Sequence, residues 1–227
     1  MSTVVLAIPL GFAIGLVVGA VEASVGAGAL ALRGQVCWRV ALTFTVPAAA
    51  GALLGTIAST AVSGRALILA FVPVMLVASA ATWQRAAHEH SEEAGNCPDV
   101  RAGRVVVAGV GVGALTGFFG VGGGFLIVPV LTLWLGLSFR RAIATSLVII
   151  TLTGCAALAS HLVIGVSVNL GVTAALALST GVGALVGSLS AQRVPQATLG
   201  RAFAVVVALL ALFLLVDTLA LGGPPGG

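Results

Sequence analysis

Glycine is the residue of this chain whose spacing points most directly to chemistry. The run Gly117-Phe118-Phe119-Gly120-Val121-Gly122-Gly123-Gly124-Phe125 sets three consecutive glycines in an otherwise apolar stretch. Lacking a Cβ, such residues leave helical geometry at little cost and turn their N–H groups toward a cavity, where the N-terminus of a following half-helix favours an anion. Gly120, Gly122, Gly123 and Gly124 are therefore candidate substrate-binding positions. Close helix packing is the competing reading, because glycine-rich faces are common in membranes. The run has a partner at Ser24-Val25-Gly26-Ala27-Gly28, which adds Ser24, Gly26 and Gly28 to the candidates.

A few polar side chains lie close to these runs. Thr145 and Ser146 follow the pair Arg140 and Arg141, so two hydroxyls stand ready to hold an oxyanion that two guanidinium groups attract. The competing role for the hydroxyls is a bond back to their own helix. Glu22 precedes Ser24 in an apolar segment, where a carboxylate is costly unless it faces water or a partner. It serves as a proton or gating site, or it sits at an interface. Gly51 with Gly55, Gly113 with Gly117, and Gly183 with Gly187 are each spaced by four and read as packing seams.

Enzymatic constellations are missing from the sequence. None of the glycine runs continues into the Gly-Lys-Ser/Thr of a phosphate-binding loop, and none has the setting of a dinucleotide fingerprint. Cys37, Cys97 and Cys155 lack zinc-site spacing. The expectation is a protein that is not an enzyme, with no cofactor, no metal and no nucleic-acid partner.

The elements that must position these residues follow from composition. Of 227 residues, 59% are hydrophobic and 7% charged, where a soluble domain carries roughly 25% charged residues. Residues 40–64, 66–84, 105–139 and 142–192 carry no Asp, Glu, Lys or Arg, and each is about as long as the ~20 residues that cross a bilayer, or longer. The fold class is all-α and polytopic, with the lipid bilayer as its surroundings. Helical segments are expected at about 3–32, 37–62, 65–86, 103–118, 123–138, 141–164, 169–192 and 199–220.

Self-comparison organises these segments. Gly51-Ala52-Leu53-Leu54-Gly55-Thr56 recurs as Gly183-Ala184-Leu185-Val186-Gly187-Ser188, an offset of 132, whereas the Ser24–Gly28 match to Gly120–Gly124 runs at 96. The first half thus lacks a block corresponding to Pro129 through Ile164. The domain reading is a shortened first transmembrane repeat at 1–86, a cytoplasmic linker at 87–103, a second repeat at 104–221 and a flexible tail at 222–227. If 103–138 forms a hairpin, nine of the ten arginines share one side and only Arg65 is opposite; a straight crossing splits them five and five. The excess of basic residues on cytoplasmic loops favours the hairpin and an inner-membrane, multi-pass protein. With about 7–8 segments, the halves become degenerate inverted repeats around a Gly-rich broken helix or hairpin, an arrangement of many secondary transporters.

The stretch from Gly117 through Pro129, followed by Ala142-Ile143-Ala144-Thr145-Ser146-Leu147, resembles the signature of the sulfite exporter TauE/SafE family of permeases. The resemblance implies a carrier of a small anion, a sulfur oxyanion or organosulfonate, with a coupling proton and a homo-oligomer as further expectations. In the first half, Ala23 to Gly28 departs from that pattern and lacks the proline and full helix that follow it. A passive anion channel and a non-transporting membrane assembly subunit are the alternatives.

Overall fold

The computed structural model describes residues 2–88, 97–98, 100–120, 124–164 and 170–220. The described residues form eight α-helices: α1 (Ser2–Ala31), α2 (Trp38–Ser59), α3 (Gly64–His88), α4 (Ala102–Phe119), α5 (Gly124–Leu133), α6 (Phe139–Ile164), α7 (Leu170–Ala191) and α8 (Gln196–Ala220). Five of them contain apolar stretches long enough to cross a membrane, and no strand occurs among the described residues. The chain is an all-α polytopic membrane protein. Most of the expected linker, residues 89–96 and 99, and the tail from 221 lie outside the described residues.

Glycine punctuates the helix ends. Gly34 adopts φ 66° after α1, the amide of Gln35 returns to the Leu30 carbonyl and that of Gly34 to the Ala31 carbonyl, the paired bonds of a glycine-terminated helix. Gly136, at φ 73°, does the same work after α5, where the amides of Leu135 and Leu137 return to the carbonyls of Val130 and Leu131. This turn shortens the segment expected at 123–138 to ten residues, about 15 Å at 1.5 Å per residue. A helix of that length cannot span a bilayer core of about 30 Å.

A larger departure concerns Ser24–Gly28. The repeat match suggests a broken element there, yet α1 runs unbroken from Ser2 to Ala31. Here the glycines alternate with Val25 and Ala27 instead of following one another, and the Ser24 hydroxyl donates to the Val21 carbonyl at 2.8 Å within the helix.

Spatially, the chain forms two compact units, each drawing on both halves of the sequence: residues 1–41 with 144–193, and residues 42–143 with 194–227. In the first unit α1 packs along α7 and α6. Gly26 lies against Leu147, and Gly154 against Ala20, so α1 and α6 are antiparallel. Val25 lies beside Gly181, and the amides of Gln35 and Gln192 pair reciprocally at 2.8 and 3.1 Å, so α1 and α7 run parallel. Arg33 and Arg193 therefore leave the same end of this unit.

In the second unit α2 and α4 run parallel at backbone contact. A Cβ built on Gly55 would meet the Ala114 carbonyl, one on Gly113 the Ala48 carbonyl and one on Gly117 the Ala52 carbonyl. Gly109 faces the Phe44 carbonyl at 2.8 Å by the same measure. Such interlocking lets two helices gain dispersion contacts that larger side chains would prevent. Helices α3 and α8 lie antiparallel: the Ser79 hydroxyl donates to the Ala204 carbonyl at 2.7 Å, and Ala86 abuts Gly200. The bounds of α7 and α8 are those of α2 and α3 displaced by 132 residues.

Candidate functional site

In the second unit the glycine-rich run is flanked by the end of α4 and the start of α5. Helix α4 ends at Phe119, and Gly120 caps it in the left-handed region, φ 67° and ψ 19°, its amide donating to the Thr116 carbonyl at 2.9 Å. A residue with a Cβ pays about 1–2 kcal/mol for that conformation, so glycine fixes where the helix stops. Gly124 opens α5. Gly122 and Gly123 lie outside the described residues.

Both stems of the hairpin begin at one end of the unit. Cys97, just ahead of α4, accepts a hydrogen bond from Arg141 Nη1 at 3.3 Å, and Arg141 lies in the first turn of α6, which α5 leads into. Phe139 packs its ring 5.9 Å from that of Phe203 on α8, and Arg140 Nη2 donates to the Val194 carbonyl at 2.6 Å. Arg85, Arg140, Arg141 and Arg201 thus gather where α3 ends and α6 and α8 begin, with Arg101 and Arg104 at the foot of α4. Arg65, in the first turn of α3, is at the other end. Within this unit Arg65 thus lies opposite the other six arginines.

Phe71 fixes the depth of the tip. Its ring centroid lies 5.0 Å from that of Phe119 and 5.2 Å from that of Phe125, the residues that flank the glycines on either side. Phe71 is two turns into α3, about 10 Å along its axis, so the tip is held within the apolar thickness of the unit. It belongs to a cluster with Val72, Met75, Val207 and Ala211, against which Phe203, Leu214 and Leu215 pack. Nothing in the polar or glycine patterns marks Phe71 as part of the site. The available signal is the repeat alignment, which pairs Phe71 with Phe203; both are in this cluster.

The other candidates belong to the first unit, so the site residues fall into two groups. Thr145 is fully buried, and its Oγ1 accepts the amide of Cys37 at 3.2 Å. That bond satisfies one of the N–H groups exposed as α2 begins. Ser146 is also buried, and its neighbour Leu147 covers Gly26. Ser24 is exposed and hydrogen-bonded within its own helix, the competing role expected for such hydroxyls. Glu22 and Gly28 are exposed on α1. In the second unit, the N–H groups of Arg140 and Arg141 tie the start of α6 to neighbouring segments. Among the described residues, no group of three or more His, Cys, Asp or Glu side chains is placed to hold a metal ion.

Residues 1–214 match the family described as sulfite exporter TauE/SafE. A "probable membrane transporter protein" of Xylella fastidiosa strain Temecula1 is 34% identical over 123 residues, covering 52% of this chain and 45% of the relative. A protein of the same description from strain 9a5c is 34% identical over 143 residues, or 60% of this chain and 52% of the relative. The matches thus span about half the length of these curated relatives. No solved structure matches the chain.

Proposed function

This chain belongs to the sulfite exporter TauE/SafE family, and on that premise we propose that it is a permease for a small anion, a sulfur oxyanion or organosulfonate. The observation that carries the proposal is that Phe71 packs on both Phe119, at the end of α4, and Phe125, in the first turn of α5, inside the unit. Non-helical backbone at membrane depth is tolerated where it is buried in protein or lines a cavity. In this reading the backbone N–H groups around Gly122, Gly123 and Gly124 meet the anion at the start of α5, whose dipole adds to the attraction. Arg140 and Arg141 brace the start of α6 and draw the anion from the cytoplasmic side of the inner membrane. Glu22, exposed on α1, is the proton or gating group.

The inverted-repeat reading draws support from α3 and α8, which correspond at the 132-residue offset and lie antiparallel. Alternating access is assigned to rocking of the two sequence halves. A counterflow screen in proteoliposomes with sulfite, sulfate, thiosulfate and small sulfonates tests the proposal. Saturable exchange of one of these, lost in Gly123→Val while the protein still inserts, is the expected result. Non-saturating flux without counterflow points to the channel alternative, and no flux with any of them to the assembly subunit.

A further inference from the structure

We infer that the seam between α3 and α8 carries a binding site for one anionic phospholipid, with its phosphate at Arg201 and its acyl chains along the seam below. Arg201 is exposed in the first turns of α8, and its guanidinium carbon lies 6.0 Å from the centre of the Trp83 ring. Trp83, 46% exposed, stands near the C-terminal end of α3. An indole in this position is the platform that membrane–water interfaces favour, and a cation over its face is held by the ring's charge distribution.

Three further observations give the site its shape and its charge preference. Below Arg201, Val205 and Leu209 follow at spacings of four on α8 and are exposed. Below Trp83, Leu76 is exposed on α3, seven residues or two turns away. The antiparallel pairing of α3 and α8, fixed by Ser79 with Ala204 and by Ala86 with Gly200, sets these two apolar stripes side by side beneath one charged head. The acidic residue of α8, Asp217, is near the opposite end of that helix, more than four turns from Arg201. Among the described residues the charges at the head of the seam are basic, with the neighbouring Arg85 and Arg140 joining Arg201. A phosphodiester without a compensating amine complements it better than a zwitterionic headgroup does.

The test uses the purified full chain in mild detergent, titrated with phosphatidylglycerol or phosphatidylcholine of the same acyl chains, with retained lipid counted by native mass spectrometry. Phosphatidylglycerol is retained preferentially, and Arg201→Gln lowers its retention about fivefold, the effect of removing one basic residue near an anionic headgroup. Arg201→Lys keeps most of the binding. Arg65→Gln makes the same charge change at the other end of α3 and leaves retention unchanged. Equal retention of the two lipids, equal losses in the Arg201 and Arg65 variants, or displacement of phosphatidylglycerol by millimolar inorganic phosphate would each overturn the inference. Arg201 is exposed, so a folded Arg201→Gln protein is expected, and an unchanged thermal transition without added lipid verifies it.

Discussion

Ser24–Gly28 and Gly120–Gly124 align residue for residue at an offset of 96, yet the first is mid-helix and the second is a helix end. The contrast lies in two positions. Gly120 takes up φ 67° where its counterpart Ser24 stays helical and spends its hydroxyl on Val21. Ala27 stands where the second run has Gly123, so the first stretch has no consecutive glycines. A glycine-rich composition is therefore insufficient to break a membrane helix; what matters is a residue without a Cβ at the capping position. The same lesson holds for the glycine pairs spaced by four. Gly55 is jammed against the backbone of α4, while its counterpart Gly187 on α7 has nothing within 4 Å of a built Cβ.

The seam comparison offers the largest expected effect. Gly117→Val drives a branched side chain into the Ala52 backbone and should cost about 3 kcal/mol, visible as a lowered unfolding transition in detergent. Gly187→Val should change stability by less than about 0.5 kcal/mol; similar losses in both would mean that the two seams are equally packed. Next, Thr145→Val removes an acceptor of the Cys37 amide and should cost about 2 kcal/mol through the loss of a buried hydrogen bond. Thr145→Ser should restore most of it, and a fully restored transition with lost flux would assign the methyl group, and not the hydroxyl bond, to transport.

Gly120→Ala bears directly on the helix break. It should cost about 1–2 kcal/mol at the tip and abolish counterflow while leaving the amount of inserted protein unchanged. Smallest is Ser24→Ala, whose flux should stay within about twofold of the parent, since its hydroxyl bonds only locally and its helix is continuous. A tenfold loss there would break the comparison and give the first half a working half-site.

Much of the fold was legible because the charge-free runs are long and the glycines mark their ends. The eight segments expected from sequence correspond to α1–α8, with α5 the chief exception, closed early by Gly136. The hairpin was legible from the arginines, because a straight crossing would have divided them. The continuity of α1 was not, because similarity between two short runs says nothing about which φ each residue adopts. Nor was the grouping of the site residues. Thr145 and Gly120 belong to different units, and sequence order hides that α7 packs on α1 while α2 packs on α4. Phe71 was missed for a related reason: its role depends on two partners about fifty residues away, and aromatic residues in a membrane helix are ordinarily read as lipid-facing or core.

The pairing of α1 with α7 has a consequence for how the protein is made. Helix α1 leaves the ribosome well before α7, because Gln192, which pairs with Gln35, is synthesised 157 positions later. At an elongation rate of roughly 5–20 residues per second, α1 waits on the order of ten seconds in the bilayer or beside the insertion machinery before that partner arrives. Assembly of the first unit thus waits for α7, and a ribosome stalled before α7 would hold α1 inserted without its partner.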